Sequence, residues 1–196
     1  MIPSRQEIVY RVYGAWRLAR FDAKGVQFFD ATPEAALRSF FAAALVAPAF
    51  VISQLLVSSG AEVKSDASSV AVFLVFALEY CLLWVVPPVI VYRVCQLVGR
   101  ETVFFRFLSA SNWSSVVTVH LQLAFTLLGA GAVLPETLAP LLAFVLYAYV
   151  ICYQWFVARH CLDVSALASV GFVALQFFIG LIIETISLSL ILQPAG

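Results

Sequence analysis

Five long apolar runs divide the 196-residue chain. They cover residues 39–61, 67–92, 107–135, 137–158 and 164–196, and only Glu79 and Glu184 interrupt them among Asp, Glu, Lys and Arg. A helix needs about 20 apolar residues to cross the hydrocarbon core of a bilayer, and the runs lack the alternation that is typical of barrel strands. The pattern predicts an all-α polytopic membrane protein with five transmembrane helices, near 35–57, 69–92, 112–134, 138–158 and 166–191.

Composition agrees with this interpretation and excludes a soluble domain. The chain is 63% hydrophobic and 11% charged, whereas soluble domains are about 45–50% apolar and about 25% charged. A soluble fold of this size could not bury so much apolar surface. No basic block with interleaved aromatic residues is present, so a nucleic-acid partner is not expected, and membrane lipids are the expected surroundings.

We predict that residues 1–34 form a cytoplasmic or interfacial amphipathic segment and that residues 35–196 form the transmembrane domain. In a helical projection Ile8, Val9, Val12, Trp16 and Ala19 share one face, while Leu18 falls outside it. Arginine and tryptophan in such a helix suit the headgroup layer of a membrane; the alternative is a helix packed under the bundle. Before the first span, Thr32 is positioned to cap a helix and Pro33 to occupy its first turn.

Cationic residues predict the orientation. With the N-terminus in the cytoplasm, ten Arg and Lys side chains lie on the cytoplasmic side and only Lys64 lies outside. This excess predicts a cytoplasmic N-terminus and a C-terminus on the opposite side. We expect the depth in the membrane to be set by interfacial anchors, namely Trp16, Arg17, Arg20, Phe28, Phe29, Trp113 and Trp155.

Four polar side chains within the spans are candidate functional residues: Glu79, His120, Gln176 and Glu184. Carboxylates are costly in hydrocarbon and usually face a bundle interior or a wet cavity. If the four converge, they form a proton or ion relay or a contact for a polar substrate, or else a neutral hydrogen-bonded network that joins the helices. Both interpretations stay open on sequence grounds.

Prolines and glycines predict irregular or close helix packing. Pro48, Pro87 and Pro88 remove backbone donors within the spans and are predicted to kink them. Small residues allow helices to approach closely, which predicts close contacts at Gly129, Gly131, Gly171 and Gly180.

Catalytic and metal-binding patterns are not found in the sequence. No GxSxG, HExxH or phosphate-binding loop occurs, and the four cysteines form no CxxC pair. We therefore expect no catalytic residues, no metal, no cofactor and no enzymatic activity.

Two stretches resemble the Yip1-domain family of integral membrane proteins: "VYRVCQLVGRETVFFRFLSASNWSSVV" at 91–117 and "VICYQWFVARHCLDVSALASVGFVALQFFIGLII" at 150–183. The first is similar to the region where a helix ends in a glycine-containing polar turn, and the second to the family's final helix pair. The resemblance covers roughly the C-terminal half. It implies five spans, a cytosolic N-terminus and no catalytic residues, and the short N-terminal region is similar to compact bacterial members, which implies the inner membrane.

Together these features predict a non-enzymatic membrane protein that binds other integral membrane proteins or its own copies, or that organises lipid. One alternative is a small transporter or channel component that uses Glu79 with Glu184 or His120. Another is an accessory subunit of a larger membrane complex.

Overall fold

The computed structural model describes residues 2–60, 68–130, 135 and 137–192, and the regular structure in these ranges is entirely helical. A short helix precedes a 3₁₀ turn, and further helices complete the bundle. The elements are α1 (Arg5–Ala19), the 3₁₀ turn (Ala23–Phe28), α2 (Pro33–Ser39), α3 (Phe41–Gly60), α4 (Ser69–Leu97), α5 (Glu101–Ala130), α6 (Ala139–Cys161) and α7 (Ala166–Leu192).

Within the described residues, four segments are long and apolar enough to cross a membrane: Pro33–Leu56, Ser69–Leu97, Ala139–Cys161 and Ala166–Ile191. The all-α class is therefore confirmed, and these four helices are compatible with a membrane protein. The predicted third span differs, because α5 is long but its middle is polar, with Ser109, Ser111, Asn112, Ser114 and Ser115 in close succession. The end of that predicted span, residues 131–134, lies outside the described residues.

Helix starts follow the local capping signals. The Thr32 hydroxyl accepts a hydrogen bond from the Ala35 amide (3.2 Å), and Pro33 begins α2. The Ser165 hydroxyl accepts from the Ala168 amide (3.2 Å) at the start of α7. These contacts satisfy amides that lack a partner in the first turn, so the predicted cap at Thr32 is confirmed.

The turns α4–α5 and α6–α7 lie at the same end of the bundle. Arg106 Nε donates to the Cys161 carbonyl oxygen (3.0 Å), and Arg100 pairs with Asp163 (3.7 Å). The α4–α5 turn contains Gly99 with φ of +67°, a conformation that L side chains rarely adopt. Several cationic residues are thus gathered at one end; Lys64, the predicted external cation, lies outside the described residues.

Helix α1 packs against this end, chiefly on α5 and the 3₁₀ turn. The Tyr149 hydroxyl donates to the Ala19 carbonyl (2.7 Å), and the Tyr153 hydroxyl donates to the Ala15 carbonyl (2.8 Å) and shares a second hydrogen bond with Ser114 (2.7 Å). Since both tyrosines belong to α6, they tie α1 to the bundle.

The face of α1 that packs differs from the predicted apolar face. Leu18, placed outside that face by the helical projection, is fully buried, whereas Val9 and Trp16 are exposed. Arg11 is also buried; it hydrogen-bonds to the Phe28 carbonyl and pairs with Asp30 (2.6 Å). The predicted apolar face is therefore covered only in part: Ala19 is buried, Ile8 and Val12 are half-buried, and Val9 and Trp16 point away from the protein.

Helix α5 occupies the centre of the fold and packs against α1, α2, α3, α4 and α6. As a result Trp113 is only 2% exposed and belongs to a buried cluster with Leu18, Phe104 and Phe156. The prediction of Trp113 as an interfacial anchor is wrong because neighbouring helices cover it. Phe28 and Phe29 are buried in the same cluster, so they too are unavailable to headgroups.

Glycine contacts also differ from the prediction. A Cβ atom at Gly129, Gly171 or Gly180 would meet no atom within 4 Å beyond its own helix backbone and chain neighbours, so these glycines are not sites of close helix approach. Gly131 lies outside the described residues. The close approach occurs instead at Gly14, where a Cβ would collide with the Phe28 side chain, and at Gly25, where it would meet Leu18 Cγ at 2.8 Å.

Candidate functional site

A partly open cavity of about 370 Å³ lies between the long helices. Helices α3 to α7 all contribute to its wall, so it forms only when the complete bundle assembles. Its described lining residues are Val46, Phe50, Tyr80, Leu83, Trp84, Pro87, Pro88, Val91, Phe104, Phe107, Leu108, Ser111, Asn112, Ser115, Val119, Val150, Ile151, Gln154, Val173, Gln176 and Phe177.

One side of the cavity is polar but uncharged. Helix α5 presents Ser111, Asn112 and Ser115, which share a face because side chains four residues apart lie one above the other on a helix. Gln154 of α6 and Gln176 of α7 add two amides. No described lining residue is an Asp, Glu, Lys, Arg or His. The wall can therefore donate and accept hydrogen bonds without compensating an ionic charge.

Most of these polar groups already have partners. Asn112 Nδ2 donates to the Ser39 hydroxyl (2.9 Å), which donates to the Ala36 carbonyl (2.6 Å). Gln176 Nε2 donates to a carbonyl of its own helix (3.3 Å). In contrast, the half-buried Gln154 amide makes no hydrogen bond to the described part of the chain. It is the lining amide that is free to meet a ligand.

Aromatic residues of α3 and α4 form another part of the wall. The rings of Phe50 and Tyr80 lie 4.8 Å apart, and those of Tyr80 and Trp84 lie 6.1 Å apart. The Tyr80 hydroxyl donates to the Ala43 carbonyl (2.5 Å) and so fixes α4 against α3. This wall offers flat apolar surface opposite hydrogen-bonding groups, a combination that is common in small-molecule sites.

The paired prolines face this cavity. Helix α4 continues through Pro87 and Pro88 as one helix, and Pro48 likewise lies inside α3. Proline nitrogen carries no hydrogen, so the carbonyl of Trp84 loses both its α-helical donor at position 88 and its possible 3₁₀ donor at position 87. Trp84 and both prolines line the cavity, so this interruption of the α-helical hydrogen bonding lies beside it.

The four predicted intramembrane residues fall into separate environments. Glu79 of α4 is buried close to Ser187 of α7, and Glu184 of the same helix lies nearby but is exposed. His120 is exposed, and its Nδ1 lies 2.7 Å from the Val116 carbonyl oxygen of its own helix. Gln176 lines the cavity. Glu79 thus lies near Glu184, whereas His120 and Gln176 have hydrogen-bond partners in their own helices.

The predicted anchors also occupy distinct places. Trp16 and Arg20 are exposed on α1, and Trp155 donates its indole N–H to the Ala166 carbonyl (3.0 Å) with the Arg159 guanidinium 5.3 Å above its ring. Arg17 pairs with Asp22, whose own pKa is held below its usual value chiefly by that guanidinium. Arg17 is therefore held in a contact between α1 and the chain that follows it.

Four residues of the cavity wall were not among the candidates predicted from the sequence: Gln154, Asn112, Ser111 and Ser115. Serine and asparagine at positions 111, 112 and 115 lie on one helix face, and this spacing within an apolar run was the available signal. Comparison of the chain with family models, with curated proteins and with solved structures found no match in any of the three.

Proposed function

We propose that this chain is a Yip1-like, non-enzymatic integral membrane protein of the bacterial inner membrane type, and that it binds lipid within the bilayer and thereby organises the lipid or protein around it. The observation that carries the proposal is the uncharged cavity within the bundle. Protein interiors are close-packed and contain few voids larger than a water molecule, whereas ligand sites typically have about 300–1,000 Å³. A cavity of about 370 Å³ falls in that range.

The proposed topology has five spans, with α5 as the third. At about 1.5 Å per residue, the 30 residues of α5 are long enough to cross the bilayer. Its polar middle is compatible with a membrane because α1, α2, α3, α4 and α6 surround it and shield those groups from lipid. Arg100 and Arg106 at its first turns then lie with α1 on the cytoplasmic side.

In this proposal, the side of α1 that faces away from the bundle contacts the membrane interface. Val9, Tyr13, Trp16 and Arg20 are exposed there, and aromatic and arginine side chains favour the headgroup layer. Its opposite side is fixed to α5 and α6. In this arrangement α1 lies in the cytoplasmic interface while it seals the end of the bundle.

Native mass spectrometry of protein extracted in mild detergent tests lipid binding. We expect the parent protein to carry a lipid adduct. Ser115→Phe, which places a ring in the cavity, should lose the adduct because it occupies the space of the ligand. Ser189→Phe makes the same change at an exposed position of α7 and should retain it.

Two results would refute the lipid-binding proposal. The first is a parent protein that carries no lipid under these conditions. The second is equal lipid retention by the two serine variants, provided that both elute from size exclusion like the parent.

Proton-coupled transport is a second candidate, favoured by the position of Glu79. Intramembrane carboxylates commonly belong to proton or ion pathways, and here the buried Glu79 of α4 lies near the exposed Glu184 of α7. In this candidate function, Glu79 takes up a proton and releases it as α4 and α7 move.

If the protein transports protons, Glu79→Gln is expected to abolish proton flux into liposomes that contain the purified protein. A glutamine amide does not ionise in water near neutral pH and so cannot carry the proton. A pH-sensitive dye inside the liposomes measures the flux. Glu34→Gln, the same exchange at an exposed position of α2, should keep the parent rate. Equal flux in the parent and in Glu79→Gln would eliminate the transport candidate.

A further inference from the structure

An apolar groove adjoins the polar cavity. It has a volume of about 520 Å³, lies between α6 and α7, and is lined by Ile151, Cys152, Trp155, Val170, Val173, Ala174, Phe177 and Phe178. Three of these residues, Ile151, Val173 and Phe177, also line the cavity. The two spaces therefore share one wall, and that wall is made of apolar side chains.

We infer that the cavity and the groove form one bipartite site for an amphiphile with an uncharged, hydroxyl-bearing head and a hydrocarbon tail, the class represented by diacylglycerol. The head occupies the polar cavity and the tail lies in the groove between α6 and α7. This inference rests on the proposed lipid-binding function and adds the class of lipid and its route of entry.

The absence of charge from the described wall selects the head group. A phosphate or carboxylate placed in this apolar surrounding without a cationic partner would lose its hydration energy and gain no ionic contact. Asn112, Gln154 and Gln176 instead offer amides, and Ser111 and Ser115 offer hydroxyls. A neutral group that forms hydrogen bonds is the head that this wall accommodates at least cost.

The Gln154 amide favours a hydroxyl group on the ligand. This amide can both donate and accept, and it has no partner among the described residues. An alcohol can donate to the amide oxygen and also accept from the amide nitrogen, whereas a ketone or an ester can only accept.

Entry from the bilayer between α6 and α7 follows from exposure at the shared wall. Ile151 and Phe177 are both exposed although they line the cavity. They therefore separate the hydrocarbon of the membrane from the polar interior. A change of rotamer at these side chains connects the two spaces, and the tail stays outside in the groove while the head enters.

Photolabelling with a dioleoylglycerol that carries a diazirine on its tail tests the inference. The parent protein and two variants are reconstituted in phosphatidylcholine vesicles, and labelled peptides are located by mass spectrometry. We expect labelling on α6 and α7 near Cys152 and Phe178, competed by unlabelled dioleoylglycerol and not by dioleoylphosphatidylglycerol. Val173→Trp, which obstructs the shared wall, should lower labelling about tenfold, the fold-change that corresponds to about 1.4 kcal/mol of steric overpacking.

The matched control is Val145→Trp, the same exchange at an exposed position of α6 outside both spaces, which should label like the parent. Equal competition by phosphatidylglycerol, with the Val173 effect retained, would overturn the neutral-head inference but leave lipid binding in place. Labelling that neither variant changes would be general lipid contact and would also overturn the bipartite site. If the parent is not labelled and native mass spectrometry finds no bound lipid, the proposed function fails as well.

Discussion

Replacement of Trp113 by Ala should lower the free energy of unfolding by about 3–5 kcal/mol, the usual cost of removing a large aromatic side chain from a packed interior. Trp113 is the largest fully buried side chain and contacts a cluster that joins α1, α5 and α6. Its loss leaves a cavity where these helices meet. Denaturant titration in mild detergent micelles, followed by circular dichroism, measures the change.

Trp16→Ala is the matched control because Trp16 is 53% exposed on α1. Surface substitutions usually change stability by less than about 0.5 kcal/mol, so this variant should unfold like the parent. Similar losses of stability in the two tryptophan variants would contradict the assignment of Trp113 to the core. If only Trp16→Ala lowered the free energy of unfolding, α1 would pack against the bundle through the side that carries Trp16.

Gly14→Ala is expected to destabilise the protein by about 1–3 kcal/mol, the range for overpacking a tight interior. An added Cβ would collide with Phe28 and lie 3.2 Å from Phe29 Cε2, so the 3₁₀ turn must move away from α1. That movement also disturbs the hydrogen bond from Arg11 to the Phe28 carbonyl. The same denaturant titration measures the loss.

Replacement of Gly171 by Ala should not destabilise the protein, in contrast to the same replacement at Gly14. No atom lies within 4 Å of a Cβ added there apart from its own helix backbone and chain neighbours, and alanine is favoured over glycine inside a helix by about 0.5–1 kcal/mol. Gly171→Ala should therefore be neutral or stabilising. A Gly14→Ala protein as stable as the parent would show that α1 and the 3₁₀ turn do not meet as described.

Local signals in the sequence predict the helices well, because they depend on neighbouring residues. The cap at Thr32 follows from a side chain and an amide three residues apart, and the starts of the spans at Ser69 and Ala166 follow from the end of charged sequence. The helices extend beyond the predicted spans at Arg93 and Arg106. A helix need not end where the hydrocarbon does, and apolar length alone cannot locate its last turn.

The packing of α1 and Trp113 could not be predicted in the same way. An apolar residue on a helix surface is equally suited to lipid and to another helix, since hydropathy does not distinguish the two surroundings. The helical projection places Val9 on the apolar face and Leu18 outside it, whereas the structure exposes Val9 and buries Leu18. Only the position of α1 across α5 and α6 decides which side is covered.

The candidate site combines local and distant information. The two prolines alone imply that the Trp84 carbonyl lacks its α-helical donor, because proline has no backbone N–H. That the same residue shares a cavity with Gln154 and Asn112 requires helices that are far apart in sequence. The amide of Gln154 is one of many polar groups in the chain until the bundle places it in the wall of that cavity.

The central claim, an odd number of membrane crossings that includes α5, is tested most directly by locating the two chain ends. Sealed inside-out vesicles are prepared from cells that produce the protein with a different epitope tag at each end, and protease is added outside. We predict that the N-terminal tag is digested and the C-terminal tag is protected until detergent opens the vesicles. Digestion of both tags, or protection of both, would contradict the five-span topology.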